Sequence, residues 1–138
     1  MPKTILIVDD EADFAELVRY RLDDPQYAFE YAPRGMDALN KVSLARPDAV
    51  LLDVLLPDLD GLTLCEILNR QPGSRRLPVI LVSALDTSVT RAAGQQAGAH
   101  SFLGKPVDFV RLKQLLETVL GEPATPTDQA EESEITSG

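Results

Sequence analysis

The chain has 138 residues, 44% hydrophobic and 25% charged, which suits one ordinary globular domain. Its formal net charge is −9, and residues 122–138 hold five acidic residues and no lysine or arginine; an acidic body with no basic stripe argues against direct nucleic-acid binding, which relies on neutralising phosphates. The single cysteine, Cys65, excludes an internal disulfide, MPKTILIVDD is too short an apolar run for a secretory signal, and no apolar stretch approaches a membrane span, so a cytoplasmic protein with no membrane segment is expected.

Thr4–Val8 is an apolar run that predicts a first strand. A helical period follows, with Phe14, Leu17, Val18 and Leu22 on one face. Tyr27–Tyr31 predicts the second strand, and Gly35, Ala38, Leu39 and Val42 mark a second helix with Pro47 beyond its end. Ala49–Leu52 is the third strand, and Gly61–Asn69 the third helix, with Leu64, Ile67 and Leu68 apolar. Val79–Val82 is the fourth strand. The helical segment after it, Thr87–Ala97, is weak: it contains Val89 but no Leu, Ile, Met or aromatic residue, and Gly94 should cost about 1 kcal/mol relative to Ala. Ser101–Leu103 is the fifth strand, and Phe109, Leu112, Leu116 and Val119 recur as the fifth helix. After Leu120 the composition shifts to Gly, Pro, Thr, Ser and acid. Residues 1–120 are therefore expected to fold, and 121–138 to form a disordered acidic tail or a linker stump.

Five β/α repeats imply a single α/β domain, a doubly wound parallel sheet with helices on both faces. Unbroken runs such as ILIV, AVLL and VILV suit strands buried on both sides. Asp9 and Asp10 follow the first strand, and Asp53 ends the third. Ligands of such sheets collect at the carboxyl ends of strands, where the chain order reverses. In strand order 2-1-3-4-5 the first and third strands are neighbours there, which gathers three carboxylates in one pocket. An Asp after a strand is also an ordinary helix cap. Asp53, however, lies between Val50-Leu51-Leu52 and Val54-Leu55-Leu56, where a charge is costly unless paired or metal-bound. Close carboxylates call for protons or a cation, and an all-oxygen set suits a hard ion such as Mg²⁺. Ser83 ends the fourth strand and Lys105 follows the fifth, on the same edge. Alone, each is an ordinary turn residue or solvated lysine; together, a hydroxyl and a cation facing an acidic pocket can hold phosphoryl oxygens. His100 and Cys65 are expected to be structural, and Arg75 and Arg76 solvated.

These residues carry a resemblance. The acidic pair in ILIVDDE, the segment LLDVLLPDLDGL, the VSA of the fourth strand and the FLGKP of the fifth, in that order, resemble the response-regulator receiver domains (the CheY-like family) of two-component signalling, over about residues 3–120. The resemblance implies a flavodoxin-like (βα)5 fold and a Mg²⁺-dependent phosphorylation switch rather than an enzyme, with self-phosphoryl transfer and slow autodephosphorylation its only chemistry. It makes Asp53 the phosphoacceptor, and Asp10, Asp53 and the Leu55 backbone carbonyl the direct metal ligands, with Asp9 acting through a water. Ser83 and Lys105 would contact the phosphoryl oxygens, Ser83 and Phe102 would form the switch, Pro57 and Gly61 would shape the loop after Asp53, and Lys105–Pro106 would be cis. A histidine kinase or phosphotransfer protein would be the donor. A downstream protein or output domain would bind the surface of the fourth helix, fifth strand and fifth helix. Two other classes share parts of the pattern. Aspartate-nucleophile phosphatases carry a DxD motif after the first strand and usually a cap domain, and flavin carriers use a Ser/Thr/Gly-rich loop where this chain has DDEAD.

Overall fold

The computed structural model describes residues 1–70 and 77–121. Five strands, β1 (Lys3–Val8), β2 (Tyr27–Ala32), β3 (Ala49–Leu52), β4 (Val79–Ser83) and β5 (Ser101–Gly104), form one parallel sheet in the order β2-β1-β3-β4-β5. Five helices, α1 (Ala12–Arg21), α2 (Gly35–Ala45), α3 (Gly61–Asn69), α4 (Ser88–Gln96) and α5 (Phe109–Gly121), alternate with them. This is the expected flavodoxin-like topology. Arg75, Arg76 and residues 122–138 lie outside the described residues, so the expectations for the arginines and for an acidic tail fall there too.

Side chains alternate faces along a strand, and the apolar runs use both. Ile5, Ile7, Leu51, Ile80 and Val82 pack against α1 and α5. Leu6, Val8, Val50, Leu52, Val79 and Leu81 pack against α2, α3 and the end of α4. Ile5, Leu6, Ile7 and Val8 are all fully buried. Each such side chain contributes roughly 1.5–3 kcal/mol of transfer free energy, which is why the buried part of β1, residues 5–8, carries no polar residue.

The helices meet the sheet with small corrections. On α1 Val18 is buried, as is Leu22 at its C-cap, and Phe14 is half-buried, but Leu17 stands 44% exposed. With an advance of about 100° per residue, Ala15 rather than Leu17 completes the arc of Phe14, Val18 and Leu22. On α3 the inward set is Leu64, Cys65 and Leu68, while Ile67 is 39% exposed. Cys65 is packing, as expected: burial pushes its thiol up to about 11. On α5, Leu115 joins Leu112, Leu116 and Val119 in the core.

α4 departs most from its reading. Its bounds match, with Thr87 as N-cap accepting from the Thr90 N–H. Gly94, read as a propensity defect, is a point of close approach: a Cβ there would lie 2.6 Å from Leu81 Cδ1. Leu81 is itself fully buried, so glycine is what lets α4 sit down on β4.

Candidate functional site

Sheet register brings the site together. Val8 pairs with Leu52, so Asp9 and Asp53, one residue past each, emerge side by side, and the Asp53 N–H donates to the Val8 carbonyl at 2.9 Å. Ser83 pairs with Gly104, and the Lys105 N–H donates to the Ser83 carbonyl at 3.0 Å. All of these lie at the carboxyl edge of the sheet. The Lys105–Pro106 bond is cis.

Lys105 ties the pocket. Its Nζ donates to Asp9 Oδ2 at 2.7 Å, Asp53 Oδ2 at 3.1 Å and Glu11 Oε1 at 3.5 Å. The side chains of Lys105, Asp9 and Asp53 are only 15%, 2% and 8% exposed, so these charge-assisted bonds work with little screening. Desolvation is the largest influence on both partners of the closest pair. It pushes the Asp9 carboxyl above its usual value, against the pull of Lys105. It would lower Lys105, but the hydrogen bonds and charges of Asp9 and Asp53 outweigh it and hold the ammonium protonated.

The remaining carboxylate oxygens accept from backbone. Asp9 Oδ1 takes the Glu11 N–H at 2.8 Å, and Asp53 Oδ1 takes the Leu55 N–H at 2.9 Å. Tyr31 reaches across from β2 to donate its hydroxyl to the Asp9 carbonyl at 2.8 Å. Asp10 is exposed, yet it offers an oxygen within 4.8 Å of oxygens of both Asp9 and Asp53. Hard oxygen donors at this spacing, two buried and one open to water, fit a Mg²⁺ ion that takes few carboxylates and keeps several waters.

Ser83 is fully buried, and its Oγ accepts the Leu85 N–H at 3.2 Å. Phe102, opposite Leu81 in register, is half-buried on the α4 side of the sheet. Ser83 lies two residues beyond Leu81 and so belongs to that same face. The Arg91 guanidinium lies over the Phe102 ring at 5.0 Å and grips Asp86 at 2.6 and 3.1 Å.

The loop after Asp53 has more structure than Pro57 and Gly61 indicated. Asp58 accepts the Gly35 and Met36 N–H groups at 2.8 and 3.0 Å, capping α2, while Asp60 accepts from Leu62 and caps α3. A Cβ on Gly61 would lie 2.5 Å from Val54 Cα and 2.7 Å from its carbonyl oxygen, so the loop closes only with glycine there. Asp60 before a helix is a cap signal that sequence offers. Asp58 offers none, because its helix lies 22 residues upstream. Phe14 and Tyr31 are residue types with no motif spacing, and only the fold brings them to the pocket, whereas Glu11 directly follows the acidic pair in ILIVDDE.

The molecule is thus a doubly wound α/β domain with a lysine-bridged acid cluster at its topological switch point. The family model described as response regulator receiver domain matches residues 5–117, and the chain belongs to that family. It is 41% identical over 133 residues to the response regulator MprA of Mycolicibacterium vanbaalenii, covering 96% of this chain and 56% of MprA. It is 39% identical over 112 residues to the response regulator PleD of Caulobacter vibrioides, covering 81% of this chain and 25% of PleD. The chain thus spans about half, or a quarter, of the length of these relatives. Among solved structures, a putative response regulator from Chloroflexus aurantiacus matches with TM-score 0.81 and 34% identity, covering 88% of this chain and all of that one. The BeF3-activated N-terminal receiver domain of Klebsiella pneumoniae RstA matches with TM-score 0.78 and 28% identity, over 87% of this chain and all of its own.

The general role of this family is a phosphorylation switch in two-component signalling, not that of a hydrolase or a flavin carrier. Response regulators receive their phosphoryl group from histidine kinases, act on output domains, and bind Mg²⁺ at an acidic pocket. Among the described residues no helix is long and apolar enough to cross a membrane.

Proposed function

We propose that this chain is a cytoplasmic signalling switch whose phosphoacceptor is Asp53. The donor is a phosphohistidine on a histidine kinase or histidine phosphotransfer protein. An Asp53 carboxylate oxygen attacks phosphorus, the P–N bond breaks with its electron pair going to the imidazole, and an acyl phosphate remains. Asp10, Asp53 and the Leu55 carbonyl, with Asp9 through a water, would hold Mg²⁺, which would supply charge neutralisation for the incoming anion. Lys105, already on Asp53, donates a charge-assisted hydrogen bond to a phosphoryl oxygen and stays protonated. Ser83 accepts from Leu85 and keeps its own proton to donate to a second.

The observation that carries this reading is the single ammonium shared by Asp9 and Asp53. A partly buried cation beside the acceptor oxygen is what an anionic group needs in order to enter an acidic pocket. The chain's own chemistry is then limited to phosphoryl transfer onto itself and slow hydrolysis. The signal leaves through Ser83 and Phe102 to the α4–β5–α5 surface, where a partner protein or output domain docks.

Incubation with Mg²⁺ and a small phosphodonor should add one phosphoryl group by intact mass, and Asp53→Asn should abolish it. EDTA should block labelling of the parent. An Asp53→Asn variant labelled as well as the parent would end the assignment.

A further inference from the structure

We propose that Phe14 is a positioning residue that holds the Lys105 ammonium ready for phosphoryl transfer; this rests on the reading of Lys105 as a partner of the phosphoryl oxygens. Phe14 is half-buried on α1 and packs against the core between α1, α5 and the sheet. Lys105 Nζ lies 4.5 Å from its ring centroid, within the ~6 Å over which an aromatic face attracts a cation.

The same ammonium donates to Asp9, Asp53 and Glu11. An ammonium has three protons, so Lys105 meets a phosphoryl oxygen only by releasing a carboxylate. A cation bound among Asp9, Asp10 and Asp53 competes for the same oxygens. The contacts of Lys105 to Asp9 and Asp53 are therefore the ones exchanged during transfer. The ring is different: it has no lone pair for a metal and no charge to repel a phosphoryl group. Its attraction persists while the ionic partners change. Lysine is a point charge on a flexible four-carbon stem. Glu11, whose side chain is 68% exposed, is a partner that would draw the freed ammonium toward solvent. A leucine at position 14 would fill similar space in the core without the ring's quadrupole.

The test compares Phe14→Leu, Phe14→Tyr, Lys105→Ala and Phe14→Leu/Lys105→Ala. Readouts are the initial rate of phosphorylation by a small phosphodonor at saturating Mg²⁺, and Mg²⁺ affinity. Phe14→Leu should slow phosphorylation roughly two- to five-fold, the range of a modestly desolvated cation–π contact. Phe14→Tyr should keep the parent rate, and both should keep the parent Mg²⁺ affinity. On the Lys105→Ala background Phe14→Leu should have no further effect, since its partner is gone. Equal slowing in both backgrounds, or no slowing by Phe14→Leu alone, overturns the proposal. If Lys105→Ala is labelled as fast as the parent, the underlying reading of Lys105 fails instead. Ring-current shifts of the Lys105 ε-methylene protons should appear in the parent and the Tyr variant and vanish in the Leu variant; their absence from the parent also overturns it.

Discussion

Asp9 and Asp53 share one ammonium, and that sharing fixes what each residue can lose. Asp9 is buried with both oxygens engaged, by Lys105 and by the Glu11 N–H. Asp10 is exposed beside them. Removing Asp9 frees Lys105 to pair more fully with Asp53, which partly restores the charge balance. Removing Asp10 takes away a proposed direct ligand with no such compensation. Losing an outer-shell partner typically costs about 10- to 100-fold in metal affinity, so Asp9→Ala belongs in that range and Asp10→Ala beyond it. Mg²⁺ titration by calorimetry checks the order; equal or reversed losses contradict it. At this scale Asp9, Asp10, Asp53, Ser83 and Lys105 were legible because charged and hydroxyl residues end apolar strands, where composition alone makes them conspicuous. Phe14 and Tyr31 were not, because an aromatic residue on a helix face or near a strand end reads as core until the fold shows which polar atom it meets.

Among the elements, α4 shows where local reasoning fails. Helix propensity says that Gly94→Ala should gain about 1 kcal/mol. The Cβ would instead press on buried Leu81, 2.6 Å away, and lie 3.6 Å from Phe102 Cδ2. Overpacking of this kind typically costs ~1–3 kcal/mol, so the net change should be destabilising, read as a lower chemical-denaturation midpoint. A more stable variant would show that α4 moves away from β4 without penalty. The α2 end of the molecule makes the opposite point, since its cap comes from another loop. Hydrogen bonds from the Met36 and Gly35 N–H groups hold the Asp58 carboxyl below its usual value of 3.8. A lowered folded-state value means that this stabilisation is present above the unfolded value and is lost as pH falls through the folded one. Asp58→Asn should therefore melt lower than the parent at neutral pH, and the difference should shrink as pH falls through about 4 and below. Melting curves at several pH values check this; a gap unchanged down to the acid limit contradicts it. The strands were legible because β1, β3 and β4 are buried on both faces and read as unbroken apolar runs. Leu17 was misread because an apolar residue on an amphipathic helix marks a face only in the company of its neighbours, and Ala15 is small enough to be overlooked.

Across the whole molecule, two cores clamp one sheet, and the site sits at the edge they share. The α2–α3–α4 side carries Ser83, Leu81 and Phe102 on one face of β4 and β5, continuous with α4 through Gly94. Among its described residues α4 buries only Thr90 and Gly94. Its Arg91–Asp86 pair is half-exposed, and such pairs contribute about 0–1 kcal/mol. An element with so little burial belongs to the low-stability end of a fold, from which moving parts are drawn. On the proposed reading, a signal entering at Asp53 would reach this helix by way of Ser83 in β4 and Phe102 in β5. Moving the population from 1:99 to 99:1 requires about 5.5 kcal/mol of preference for the active state. Hydrogen exchange with and without the phosphoryl mimic beryllofluoride, both in the presence of Mg²⁺, tests the account most directly. The account predicts altered protection across residues 86–104, in α4 and β5, as well as around Asp53; changes confined to the loops next to Asp53, with residues 86–104 unaffected, would contradict it.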